Sequence, residues 1–174
     1  MAAKKNIKKI MEEKRKDLIA ATWPELAPGT TWDRLSKNTF GFTTIPRCMP
    51  YFMDIMDHLS SGSPLSSVYF TLWCYASDEG LVQIKNEQVM AFEAGLKGQR
   101  SISVWKAKMK RLKDLGFILA EGGVSGDFSY VLIKNPYHVV KDLIQGPESN
   151  EGLKKTYRAL VERANEVGAK DLKE

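Results

Sequence analysis

The chain has 174 residues, 43% hydrophobic and 10% aromatic content, and a net charge of +5. That length suffices for one good core plus extensions. No apolar run approaches the ~18 residues of a membrane span, and the charged start MAAKKNIKKIMEEKRK lacks the apolar stretch of a signal peptide, so a cytoplasmic protein with no membrane partner is expected. Cys48 and Cys74 stand alone with no CxxC spacing, which argues against a disulfide or zinc site.

In chain order, residues 5–20 read as a helix with a thin apolar stripe of Ile7, Ile10, Met11 and Leu18. Its cations Lys4, Lys5, Lys8, Lys9, Lys14 and Arg15 face only Glu12 and Glu13. Pro24, Pro28 and Gly29 break the helix, and Trp23 and Trp32 are expected to pin the connector that follows. FGFTTIPR (Phe40–Arg47) reads as extended chain or loop. Pro50 suits the first turn of a helix reaching Leu59, with Tyr51, Phe52, Ile55 and Met56 on its apolar face.

After the break SSGSP (Ser60–Pro64), Leu65, Val68, Tyr69, Leu72, Trp73 and Ala76 recur at helical spacing and predict a central core helix. Leu81–Ile84 is a short strand. Asn86 is a natural N-cap for a helix to Ala94, with Val89, Met90 and Phe92 partly buried. The turn Gly95–Gly98 leads into a helix over Arg100–Leu115, capped by Ser101 and stopped by Gly116. Strands Phe117–Glu121 and Phe128–Lys134 around a Gly-rich turn form a hairpin. Pro136 opens a last body helix, Gln145–Gly152 is a linker, and Leu153, Tyr157, Leu160, Val161 and Ala164 mark an amphipathic terminal helix to Val167. The organisation expected is a helical extension over 1–60 with its Pro/Trp connector, a body over 61–145, and a linker plus terminal helix over 146–174.

Between Lys97 and Lys113 the chain holds seven Lys or Arg and no acid. With Trp105 at the centre of the buried face, Ile102, Met109 and Leu112 fall on its side, and the opposite face carries Ser103, Ala107, Lys110 and Asp114. Such a helix docks by one side and offers cations to a polyanion by the other. Small residues at Ser103 and Ala107 allow close approach to base edges. Lys106 and Lys110 reach guanine acceptors or phosphates, and Arg100 lies near the helix start, where anions are favoured. Lys97, Lys108, Arg111 and Lys113 supplement the phosphate contacts. Roughly five neutralised phosphates give a log–log salt slope of about −4.5.

The core helix with Leu72 and Trp73, the helix Asn86–Ala94, the turn at Gly95, the closing run Arg111-Leu112-Lys113-Asp114-Leu115-Gly116-Phe117-Ile118 and the hairpin together resemble the winged helix-turn-helix superfamily of bacterial regulators and plasmid replication initiators. The resemblance covers residues 65–134, and the whole sequence is similar to proteins carried by bacterial mobile elements. It implies a mainly α fold with a small β-hairpin and helical extensions at both ends. The implied function is sequence-specific binding of double-stranded DNA in transcription regulation, replication or maintenance. One departure stands out: the wing turn Gly122–Gly126 has no Lys or Arg and is flanked by Glu121 and Asp127.

Two other readings share these residues. A winged helix can serve as a protein–protein interaction module. The βααββα order with the loop Gly95-Leu96-Lys97-Gly98 is also that of a KH domain, which clamps single-stranded backbone; here the apolar residue after the loop, Ile102, comes one place late, and helix 65–76 has no KH role. An enzyme is not expected: His58 and His138 have no motif around them, no acid pair, HExxH, GxSxG or Walker sequence is present, and Gly122–Gly126 joins two strands with no helix for a pyrophosphate. No cofactor or metal is called for. A homodimer through the two thin-striped terminal helices competes with folding of both arms onto the body.

Overall fold

The computed structural model describes residues 2–27, 30–34, 39–60 and 62–172. The chain divides into two compact units, 1–42 and 43–174. Pro28, Gly29 and Ser61, which the sequence uses as breaks, lie outside the described residues, as do the side chains of Lys4, Lys5 and Lys8.

The first unit is built on α1 (Ala2–Thr22). Its stripe residues Ile7, Ile10, Met11 and Leu18 are all exposed. Glu12 and Lys16 pair at 2.9 Å across one helical turn. Trp23 and Trp32 do not bury themselves as expected: both are exposed, and Trp32 makes an edge contact with Phe42 inside the same unit.

The second unit contains α2 (Met49–His58), α3 (Ser66–Tyr75), β1 (Leu81–Gln83), α4 (Glu87–Glu93) and α5 (Ser101–Asp114). It continues with β2 (Ile118–Gly123), β3 (Gly126–Ile133), α6 (Pro136–Gln145) and α7 (Glu151–Val167). The fold is therefore mainly helical with a small antiparallel sheet of strand order β1-β3-β2. Register sets Val82, Val131 and Ala120 side by side on the inner face, all buried. On the outer face Leu81, Leu132 and Leu119 form a partly exposed row.

Local chemistry explains most boundaries. Pro50 sits in the first turn of α2. The Asn86 side chain accepts from the N–H groups of Gln88 and Val89 to start α4, and Asn135 and Asn150 do the same for α6 and α7. Helix α3 has no cap of its own. Asp57 of α2 supplies it instead, accepting from the Leu65 and Ser66 N–H groups at 2.6 and 2.8 Å, which ties two helices through one carboxylate. Gly116, at φ +83°, turns the chain out of α5 in the left-handed conformation that favours glycine.

The core joins two layers. Val68, Tyr69 and Leu72 of α3 meet Trp105, Met109 and Leu112 of α5 and Phe117, with Tyr69 edge-on to Phe117 at 5.5 Å. Behind α3, helices α2, α6 and α7 pack together, with Phe52 edge-on to Tyr137 at 4.8 Å.

Four expectations need correction. Val89 and Phe92 of α4 are exposed and only Met90 and Ala91 turn inward, because seven residues give too short a face to bury both sides. Ser101 does not cap α5: Arg100 holds the N-cap position without a side-chain bond. The unit boundary falls after Phe42, not at residue 60, because α2 carries four buried residues of the shared core. The terminal helix, set apart from the body at 146–174, folds onto it, one of the two alternatives its stripe leaves open: Leu153, Leu160 and Ala164 are buried, and Thr156 donates to Asp54 of α2 at 2.9 Å.

Leu160→Ala is expected to cost about 2–5 kcal/mol, the range for a large core side chain lost to a cavity, and urea unfolding followed by near-UV and far-UV signals should show α7 melting with the body.

Candidate nucleic-acid interface

Burial of Trp105, Met109 and Leu112, each fully inaccessible, fixes the rotation of α5. The rotation decides where each basic residue goes. Ser103, Ala107, Lys110 and Asp114 face outward, as the spacing predicts. Ile102 does not join the buried face; it is 37% exposed, and Val104 on the other shoulder is 38% exposed. Ser103 Oγ donates to the Arg100 carbonyl at 2.9 Å.

The predicted cations separate into two groups. Lys97, Arg100 and Lys110 are exposed, and their side chains have no hydrogen-bond or ion-pair partner among the described residues. The other four placements are corrected or qualified by their contacts. Lys108 is buried and donates to Ser63 Oγ at 3.0 Å and to the Pro64 carbonyl, so it ties α5 to the loop before α3 and cannot meet phosphate. Burial pushes its ammonium below the ordinary lysine range, with Asp57 opposing that shift. Arg111 donates to the Leu59 carbonyl at 2.8 Å and pairs with Glu148 at 3.1 Å. Lys113 donates to the Ala120 carbonyl at 2.9 Å.

Lys106 is half-exposed but held by two carboxylates, Asp127 at 2.9 Å and Glu87 at 3.1 Å. The hydrogen bond it donates to Asp127, followed by that to Glu87, raises its pKa. The same Glu87 lies against the hairpin turn: a Cβ on Gly126, whose φ is +133°, would collide with the Glu87 carboxylate. Glu87 Oε1 is buried without a partner of its own. Asp127 beside the turn and Glu87 of α4 thus hold the hairpin to α4 and α5 through one lysine. The sequence marks Asp127 beside the turn, but no spacing relates it or Glu87 to Lys106.

Between α5 and the hairpin lies an open groove of about 510 Å³ lined by Lys106, Ala107, Lys110, Lys113, Asp114, Asp127 and Phe128. The turn itself carries Val124, fully exposed, and the Ser125 N–H donates to Ser129 Oγ at 3.2 Å. That backbone group is therefore engaged within the hairpin.

Elsewhere the chemistry is sparse. His58 pairs with Asn150 at 3.1 Å, His138 is exposed, and Cys48 and Cys74 are free thiols. Among the described residues no three His, Cys, Asp or Glu side chains gather as a metal site, and no helix is long and apolar enough to cross a membrane. No family profile, curated protein or solved structure matches the chain.

The division of the lysines has a direct consequence. Lys108→Ala should lower unfolding free energy by about 1–3 kcal/mol, because it removes the buried side chain whose ammonium bridges Ser63 and the Pro64 carbonyl. Lys110→Ala, on the exposed face, should change it by no more than about 0.5 kcal/mol; chemical denaturation of both variants checks the contrast.

Proposed function

We propose that residues 65–134 act as a winged helix-turn-helix that binds duplex DNA through the exposed face of α5. The order α3-β1-α4-α5-β2-β3 with the β1-β3-β2 sheet supports this reading. The observation that carries it is the character of that face: small residues Ser103 and Ala107 at its middle, with unpaired Arg100 before them, Lys110 after them and Lys97 in the preceding turn. Small side chains allow the helix into a major groove, and cations at its margins meet the phosphates. The expected role is that of a regulator or a replication or maintenance factor of a bacterial mobile element. Asp114 closes the face with a negative charge, so contact belongs to the first three turns of the helix.

The protein-interaction reading is favoured by a different surface, the outer row Leu81, Leu132 and Leu119 across the sheet, with Tyr130 beside it. Salt dependence separates the two, because an apolar sheet face binds with little dependence on ionic strength. The KH-like reading predicts preference for a single strand. Pairing of two copies belongs to α1, whose stripe is exposed; α7 is already committed to α2 within its own chain. A monomer by light scattering at micromolar concentration would count against pairing.

Fluorescence anisotropy with matched duplex DNA, single-stranded DNA and RNA at several salt concentrations tests the reading. With three unpaired cations meeting phosphate, the log–log salt slope for the duplex should lie near about −2.7 per chain. Neutralising Lys97, Arg100 and Lys110 together should flatten it towards zero. A slope and affinity that survive the triple substitution would remove α5 from the interface.

A further inference from the structure

The exposed face of α5 is poorer in cations than its composition implies, and what replaces them is apolar. Lys106, Lys108, Arg111 and Lys113 are all held by protein oxygens. With Ser103 at the middle of the outward face, Ala107 lies about 40° and Val104 about 100° to one side, at 100° per residue. Arg100 falls on that same side a turn earlier. The strip that a groove would meet is therefore Ser103, Ala107 and Val104, one hydroxyl and two aliphatic groups.

Major-groove edges differ in what they offer such a strip. Guanine presents two acceptors, and cytosine presents an amino donor. Adenine presents one acceptor and one donor, whereas thymine presents an acceptor and the only methyl group. Aliphatic side chains pressed on guanine acceptors would dry them without a partner, which is unfavourable. Against a thymine methyl the same contact removes apolar surface from water on both sides. Ser103 agrees with this choice. Its single hydroxyl proton is donated to the Arg100 carbonyl, so it offers lone pairs outward and suits an amino donor such as adenine N6.

We infer that Val104 and Ala107 read thymine C5-methyl groups, with Ser103 accepting from a neighbouring adenine, so that the duplex recognised carries A·T pairs opposite the first two turns of α5. The inference rests on the duplex-binding reading above and specifies its substrate. Unpaired Arg100 and Lys110 at the ends of the strip make a polyanion its occupant rather than an apolar protein groove.

The test selects bound duplexes from a randomised library with the full chain. The enriched duplex is then synthesised with each thymine in turn replaced by deoxyuridine, which deletes only the methyl. At one or two positions the loss should be about fourfold per methyl, the value for burying one such group. Val104→Ala should abolish the loss at one of those positions while leaving salt-dependent binding in place. The DNA-side substitution leaves the protein untouched, so misfolding cannot produce the result. Equal affinity for thymine and uracil forms, in the enriched duplex or in the unselected pool, overturns the inference and leaves duplex binding standing. No salt-sensitive duplex binding at all overturns both and assigns the strip to a protein partner.

Discussion

Everything proposed for this protein depends on the rotational phase of α5, and Trp105 sets that phase. A fully buried indole, edge-on to Phe128 at 5.6 Å and flanked by buried Met109 and Leu112, leaves α5 no freedom to turn about its axis. An aromatic side chain of this size carries a large share of the apolar area that a small core buries. Rotating α5 by even one residue step would expose Trp105 and bury Lys106. The position of every lysine on the helix is thus a consequence of one apolar anchor and of the helical repeat, not of the lysines' own interactions.

That phase explains how a helix with seven nearby cations presents so few of them. Lys108 lies about 60° from the Trp105–Leu112 side, inside the contact with the loop before α3, where Ser63 and the Pro64 carbonyl take its ammonium. Arg111, one helical turn on from Ala107, reaches back to the Leu59 carbonyl. Lys106 faces the hairpin and meets Asp127 and Glu87. A salt bridge as exposed as the one to Asp127 adds little stability by itself, but with the more enclosed Glu87 it fixes the hairpin's angle to α5. The absence of Lys or Arg in the hairpin turn then has a physical sense: Asp127 beside the turn is a partner of α5.

Periodicity and capping chemistry made most of this legible in advance. Helices α2 to α7 and the hairpin follow from apolar spacing, from Pro50 and Pro136 at helix starts and from Asn86 as a cap, all of which act within one or two turns of chain. What escaped depends on distant residues. Asp57 capping α3 and Glu87 meeting Lys106 join segments that no local pattern relates. Ile102 sits at the edge of the apolar face by angle alone, and only the finite reach of the neighbouring elements leaves it exposed. Lys108 was misassigned for a related reason: a long aliphatic stem lets an ammonium sit over a core and still find oxygen acceptors, so charge does not prove exposure. Reading a basic helix as a set of phosphate contacts overcounts by the cations that the fold consumes.

A face with three unpaired cations has a further implication under the duplex-binding proposal. Sequence-independent attraction scales with the phosphates neutralised, so a single copy would hold random DNA weakly and lose it early as salt rises. Weak background attraction raises the ratio of specific to non-specific binding, provided that the specific contacts do not themselves depend on charge. Methyl recognition by Val104 and Ala107 meets that condition, since burial of apolar surface is insensitive to moderate salt. Affinity must then come from the number of such strips engaged at once. Under the pairing proposal, two copies joined through the exposed stripe of α1 would present two such strips. The gain would come from effective concentration rather than from any new contact with DNA.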